Sequence, residues 1–431
     1  MRHLARHYPR ASGPNGAAMF KVLFLHKDFP GQFLHLARFL ATLPGVQVDA
    51  LASDPERALP GVTLHPYRVD IAADSRPHSY IYMADRAVWR GQAVLANCAV
   101  LAQGGYRPDL IIGHNGWGEI LYLKDLWPDV PLVGYFEFYY HGTGADVGFD
   151  PPGAVNLGDL ARVRSLNATG LLGLAAVDRG VSPTSWQRDL HPAEFRDKIA
   201  LIHEGIDTGV ASPGQVLPLV LPDGTRLAAG MPTVTYVARH LEPYRGFHIL
   251  MRAAGDLLRG RPDVRLVIAG EDGVSYGPPP DGGGSWRAKL LAEVGDGLPL
   301  DRVHFLGRVG HSDFINLMRL SAAHLYLTYP FVLSWSMLEA MACGVTLVAS
   351  DTAPVTEVVE QGVNGLLVPF HSPAAVAAGL MTALDMPAER RMRMRAAARQ
   401  TIIDRYDLTR VALPAWTGML HREFGLPLPP G

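Results

Sequence analysis

The sequence predicts an α/β protein of two doubly wound, Rossmann-like domains with an interdomain cleft. Three observations carry that expectation. Short apolar runs alternate with segments of helical period, as strand–helix units around a parallel sheet do. The alternation occurs twice, on either side of a Gly- and Pro-rich stretch with no helical period. The 431 residues, 48% hydrophobic and 19% charged, suffice for two sizeable cores.

The elements follow in chain order. Residues 1–18 are basic, lack the apolar run of a signal peptide, and read as a disordered lead-in. The N-terminal domain is expected over 19–207. It opens with FKVLFL (20–25), a Gly-bearing loop HKDFPGQ, and then Phe33, Leu36, Ala37 and Leu40 at helical spacing. Further strands are expected at VDAL (48–51), DLIIG (109–113), PLVGY (131–135), VDRGVS (177–182) and ALIHEG (200–205). Residues 208–230 read as a linker and the entry to a second domain.

That second domain, expected over 231–404, repeats the pattern. Its strands are VTYVAR (234–239), VRLVIAG (264–270), VHFLGRV (303–309), AHLYLTY (323–329), VTLVAS (345–350) and GLLV (365–368). Phe247, Leu250, Met251, Ala254 and Leu258 form one face of an intervening helix. GVSYGPPPDGGGS (273–285) reads as a surface loop. Residues 387–424 read as helical, and the final part, about 405–424, is expected to pack back on the N-terminal domain. Arg390, Arg391, Arg393, Arg395 and Arg399 spread around the helix rather than along one stripe. A solvated face is the preferred reading, and a peripheral membrane contact the weaker one.

Composition excludes several classes. The net charge of −2 gives no global field for nucleic acid, although the bases are 34 Arg against 5 Lys. Cys98 and Cys343 are the only cysteines, which fits a reducing, cytoplasmic setting. Neither a P-loop nor a G-x-G-x-x-G fingerprint occurs. No metal is expected: Asp-x-Asp is absent, and His304, His311 and His324 lack ligand spacing.

Ligands of doubly wound sheets bind at the carboxyl ends of strands. Ser334 and Ser336 offer N-cap hydroxyls after the strand ending at Tyr329-Pro330, and Glu339 falls in the first turn of the helix that follows. Such an end attracts anions. Glu339 either accepts hydrogen bonds from the vicinal hydroxyls of a ribose or merely complements the helix dipole. His114 lies in the strand-end loop Gly113-His-Asn-Gly-Trp-Gly-Glu119, where a functional role outweighs a structural one.

LEAMACGVTLVASD followed by TEVVEQGVNGLLV resembles the donor-site signature of retaining GT-B glycosyltransferases of family 4 (glycosyl transferases group 1). VARHLEPYRGFHILMRAAGDLLRGRPDVRLVIAGED, VHFLGRV and ALIHEGIDT resemble neighbouring motifs of that family, in order. The resemblance is firm over about 200–370 and weak over 19–200. It implies that Arg239 and Arg245 clamp a donor diphosphate, that Glu339 holds the ribose, and that His114 meets the donor sugar and phosphate. These four are the expected catalytic residues. Gly31, Gly270, Gly307, Arg308, Val309, Ser334, Trp335, Ser336, Met337 and Leu338 are the expected donor-binding positions beside Glu339, with backbone amides at 334–338 facing phosphate and sugar. Glu137, Tyr140 and His141 are candidates for acceptor contacts. One departure stands out: where the family has a first glutamate against the donor sugar, this chain has Phe331.

The implied function is transfer of a sugar from a nucleotide-diphosphate donor to a hydroxyl of a carbohydrate, lipid-linked or small-molecule acceptor. Retention at the anomeric carbon and independence of metal and other cofactors are implied by the resemblance. The alternatives are a nucleotide-sugar epimerase and, given Phe331, a catalytically impaired sugar-nucleotide binding protein.

Overall fold

The computed structural model describes residues 19–53, 58–71, 76–153, 155–221 and 224–429. The expected lead-in at 1–18 lies outside them. The chain divides into two compact units: residues 1–142, 155–205 and 412–431 in the first, 143–154 and 206–411 in the second.

The first unit holds a seven-stranded parallel sheet. Its strands are β1 (Phe20–Leu25), β2 (Val46–Ala52), β3 (Val62–Pro66), β4 (Leu110–His114), β5 (Leu132–Tyr135), β6 (Arg179–Ser182) and β7 (Ile199–Leu201), in the order β3-β2-β1-β4-β5-β6-β7. The apolar runs are continuous because both faces of the sheet are covered. Val22 and Phe24 point to one core, with helix α1 (Leu34–Leu40). Leu23 and Leu25 point to the other, with Val94 and Cys98 of α2 (Tyr82–Gln103) and Leu174 of α3 (Ala168–Ala176).

The second unit holds a six-stranded parallel sheet: β10 (Thr233–His240), β11 (Arg265–Glu271), β12 (Val303–Gly307), β13 (Ala323–Tyr326), β14 (Leu347–Ser350) and β15 (Leu366–Val368), in the order β12-β11-β10-β13-β14-β15. The segment read as a linker carries a short antiparallel hairpin, β8 (Leu219–Val220) with β9 (Arg226–Leu227), and groups with this unit. Its helices include α4 (Phe247–Gly260), α5 (His311–Leu320), α6 (Trp335–Ala342), α7 (Pro373–Leu384) and α8 (Ala388–Tyr406). The expected apolar face of α4 is buried at Phe247, Leu250, Met251, Ala254 and Leu258.

The C-terminal stretch differs from a single helix over about 405–424. Helix α8 stops at Tyr406, a wider π-helical turn spans Leu408–Ala412, and α9 (Leu413–Phe424) begins anew. The break has a local cause. Asp407 Oδ1 accepts the amides of Thr409 (2.9 Å) and Arg410 (2.7 Å), which competes with the helical ladder. Trp416, Met419 and Leu420 of α9 join the first unit's core beside α1.

In both sheets the strand order reverses at the first strand, between β1 and β4 and between β10 and β13. The loops leaving those strands open the crevices where such sheets take ligands.

Candidate functional site

At the reversal in the first sheet, two buried histidines sit edge to face. His26 follows β1 and His114 ends β4, with ring centroids 5.3 Å apart. Gly31 makes room for them: a Cβ there would lie 2.4 Å from the His26 ring, and its φ of +47° suits glycine. His26 Nδ1 accepts the Asp28 amide at 3.0 Å, so Nε2 carries the proton and donates to Gln32 Oε1 at 2.8 Å. The Gln32 amide is thereby oriented, and its Nε2 donates to Glu137 Oε1 at 2.9 Å. The other oxygen of Glu137 stands 3.6 Å from His114 Nε2. His114 Nδ1 accepts the Gly116 amide at 3.0 Å, which directs its Nε2–H toward Glu137.

The electrostatics match this chain. Burial, then His114, pushes His26 down to about 3, so it is neutral at physiological pH. Burial works to raise the Glu137 carboxyl, but His114, Gln32 and His26 outweigh it and hold the group below its usual value. Trp117 stacks on His114 with ring centroids 5.8 Å apart, and Arg90 donates to the Trp117 carbonyl at 2.9 Å. Glu137 is the acceptor-side candidate that meets His114. Tyr140 is stapled through its amide and carbonyl to the Asn167 side chain, both at 2.8 Å. His141 Nε2 bonds the Leu190 carbonyl at 2.6 Å.

At the reversal in the second sheet, the central group is Arg245. It is buried just after β10, and its Nη1 donates to Thr328 Oγ1 (2.7 Å), the Val332 carbonyl (2.9 Å) and Tyr326 Oη (3.2 Å). Its guanidinium lies 5.2 Å from the centre of the Tyr276 ring. Burial works against the charge, but the neighbouring tyrosines, led by Tyr326 and Tyr276, raise the group above its ordinary value. Arg239 stands apart. It is exposed where the pairing of β10 with β11 slips, between Val237 and His240.

Helix α6 starts beside Arg245. Ser334 is its N-cap, with Oγ accepting the Ser336 amide at 3.3 Å and bonding Ser336 Oγ at 2.8 Å. The Ser334 amide donates to Tyr326 Oη at 2.9 Å, and the Met337 amide to the Ser334 carbonyl at 3.2 Å. The expectation of free amides throughout 334–338 therefore needs correction: those of Ser334, Ser336 and Met337 are already bonded within the fold. The side chains of Met337 and Leu338 are buried in the core, and Trp335 packs against it. Glu339 lies one turn into α6 rather than in its first turn as expected, because the helix already starts at Trp335. It accepts from His311 Nε2 at 2.6 Å, and burial raises its carboxyl above the usual range despite that partner.

Gly270 closes β11. A Cβ there would lie 2.7 Å from Leu241 and 2.9 Å from the Ala238 carbonyl, so the close passage of the Arg239 strand end requires glycine. Gly307 ends β12. Arg308 after it is exposed and reaches Glu271 at 4.0 Å, and Val309 packs on the core. Phe331 is buried among rings, with Tyr276 at 5.0 Å and Tyr244 at 5.5 Å between centroids.

Three groups escaped sequence reasoning. Glu242 is buried and accepts the amides of Ser275 (2.9 Å), Tyr276 (3.2 Å) and Gly277 (3.0 Å), pinning the 273–285 loop so that Tyr276 meets Arg245. Tyr326 links Arg245 to the start of α6. His311 holds Glu339. Only Glu242 left a local signal, a carboxylate three residues before Arg245. Among the described residues no group of three or more His, Cys, Asp or Glu is arranged to hold a metal ion.

Comparison with known proteins adds the family. The model for the glycosyl transferase family 4 group matches residues 44–211, and that for glycosyl transferases group 1 matches residues 224–401. The chain belongs to the group 1 glycosyltransferases. The D-inositol 3-phosphate glycosyltransferase of Mycolicibacterium smegmatis is 32% identical over 187 residues, which is 42% of this chain and 38% of the relative. The enzyme of that name from Kribbella flavida is 28% identical over 359 residues, 78% of each. In the first three such matches the chain spans less than half the relative's length: 38%, 47% and 48%. A crystal structure of Anabaena HepE in complex with UDP covers 93% of this chain and 100% of its own at a TM-score of 0.65 and 16% identity. The fold of this group 1 chain is GT-B, with two Rossmann-like units. No helix of the described residues is long and apolar enough to cross a membrane.

Proposed function

We propose that this chain transfers a glycosyl group from a nucleoside-diphosphate sugar to an acceptor hydroxyl, with retention at the anomeric carbon, in the cytoplasm. One observation carries the reading. At the reversal of the second sheet a buried cation, a capped helix start and a carboxylate one turn into that helix occur together: Arg245, Ser334 and Glu339. A diphosphate matches the first two, and the vicinal hydroxyls of a ribose match the third. The family relatives and the UDP-bound HepE structure support a nucleotide-sugar donor, and they favour transfer over epimerisation.

The chemistry follows from charge. The bond from the anomeric carbon to the diphosphate breaks, and negative charge grows on the departing oxygens. Fixed cations stabilise that charge without reorganising, which is the largest single lever such a site has. Arg245 is held rigid by three acceptors, and exposed Arg239 supplies the second cation. The departing phosphate takes the acceptor proton as the acceptor oxygen attacks from the same face. His114, oriented by Glu137, contacts the sugar and phosphate. Phe331 makes the donor-sugar contact at its position apolar. Since protein cations carry the leaving group's charge, the reaction needs no metal.

The test is a transfer assay run in EDTA with wild type and Arg239→Ala. Because Arg239 is exposed, the variant should keep its melting temperature and lose about 100-fold or more in kcat, the order of one fixed electrostatic donor. Wild-type turnover lost in EDTA would overturn the metal-free reading. Near-normal turnover by the variant would overturn the diphosphate assignment.

A further inference from the structure

In the second unit a pocket of about 440 Å³ opens at the C-terminal end of α6, lined by Arg319, Arg395, Arg399, Cys343, Gly344 and Met392, among others. The volume falls in the range of small-molecule sites. No carboxylate lines it, and no ion pair joins any of the three arginines to an acid among the described residues. Three half-buried positive charges thus face one pocket without compensation.

Helix capping accounts for part of this arrangement. Arg399 Nη1 donates to the Ala342 (2.7 Å) and Ala211 (3.2 Å) carbonyls, and its Nη2 to the Thr208 carbonyl (3.2 Å). Arg319 donates from Nε to the Ser212 carbonyl at 2.8 Å and from Nη2 to that of Val210 at 3.4 Å. Arg395 differs. Among the described residues its one hydrogen bond runs from Nε to the Gly344 carbonyl, which leaves both terminal amino groups unspent there. It also stands four residues before Arg399 on α8, a like-charge spacing that costs helix stability. Capping does not require that cost.

We propose that this pocket binds a soluble small molecule carrying a phosphoryl group on an apolar body. A phosphoryl group offers three acceptor oxygens and close to two charges, which suits a pocket lined by three guanidiniums better than a carboxylate does. Met392 and Cys343 supply an apolar wall for the rest of the ligand. The site is independent of the donor-site reading.

Calorimetric titration of the full chain with phenyl phosphate tests this. Saturable binding is expected, weakened about tenfold or more by Arg395→Gln, the loss expected for one charge-assisted contact. Because Arg395 makes a single hydrogen bond among the described residues, the variant should stay folded, which its melting curve reports; Arg319→Gln is the second probe. Arg239→Ala should leave this binding within about twofold, which separates the pocket from the proposed donor site. No saturation by about 10 mM, or equal binding by wild type and both pocket variants, would overturn the proposal. So would an Arg395-dependent sedimentation with phosphatidylglycerol vesicles in the absence of phenyl phosphate binding, because the ligand would then be a lipid surface.

Discussion

Replacing Glu137 by Gln preserves shape and removes one charge, yet the chain of hydrogen bonds around it cannot accommodate the change. Gln32 presents its amide N–H to Glu137 because its oxygen is taken by His26 Nε2, at 2.8 Å. His26 cannot switch tautomer without turning an N–H toward the Asp28 amide, 3.0 Å away. An amide at 137 therefore sets its own NH₂ against either Gln32 or His114. Glu137 is about one quarter exposed, at 25%, so removing the charged acceptor that Gln32 and His114 face costs roughly 1–2 kcal/mol. Its carboxyl is held below the ordinary 4.5 of a glutamate. A depressed carboxyl contributes stability that is fully present above the unfolded pKa and is lost as pH falls through the folded one. Glu137→Gln should thus be destabilised at pH 7, by about 2–8 °C in melting temperature. The gap to wild type should close on acidification to below the folded pKa, where both side chains are neutral. Paired melting curves followed from pH 7 down through the acid range measure this. Equal stability at pH 7, or a gap that widens in acid, would refute the reasoning.

Two further outcomes follow from the second unit. Glu339→Gln should weaken binding of the donor nucleotide about tenfold, read by calorimetry, with little change in melting temperature because its partner His311 is 60% exposed. An unaltered affinity would return Glu339 to a purely structural role. Glu242→Ala strips three amides of their acceptor, so the variant should lose about 2–5 kcal/mol and expose 273–285 to proteolysis. Unchanged cleavage in that loop would show that Glu242 does not hold it.

The fully covered parallel strands were legible because they read as continuous apolar runs, FKVLFL being the plainest, whereas the half-exposed edge strand β3 was not. Helix α4 was legible from five residues of one face. The break at Asp407 was not, because it depends on one side chain competing with a helical ladder. The loops bearing His114 and Arg245 were visible as Gly-bearing strand ends. Their partners were not visible, since strand order rather than sequence distance assembles them. Tyr326 and Thr328 reach Arg245 because β13 lies beside β10, more than eighty residues away along the chain. Gln32 reaches Glu137 across a separation of 105 residues for the same reason. Phe331 was visible as a departure, but its ring neighbours Tyr244 and Tyr276 come from loops that no local pattern links to it.

The central claim is that the second unit takes a nucleoside-diphosphate sugar at the carboxyl edge of its sheet. The most direct test is a thermal-shift panel of UDP-, GDP- and ADP-sugars against wild type and Arg245→Lys, which keeps the charge. One base should raise the melting temperature of both proteins, by an increment corresponding to about 2.7 kcal/mol at 100 times the dissociation constant. A flat response of the wild type to the whole panel would contradict the claim.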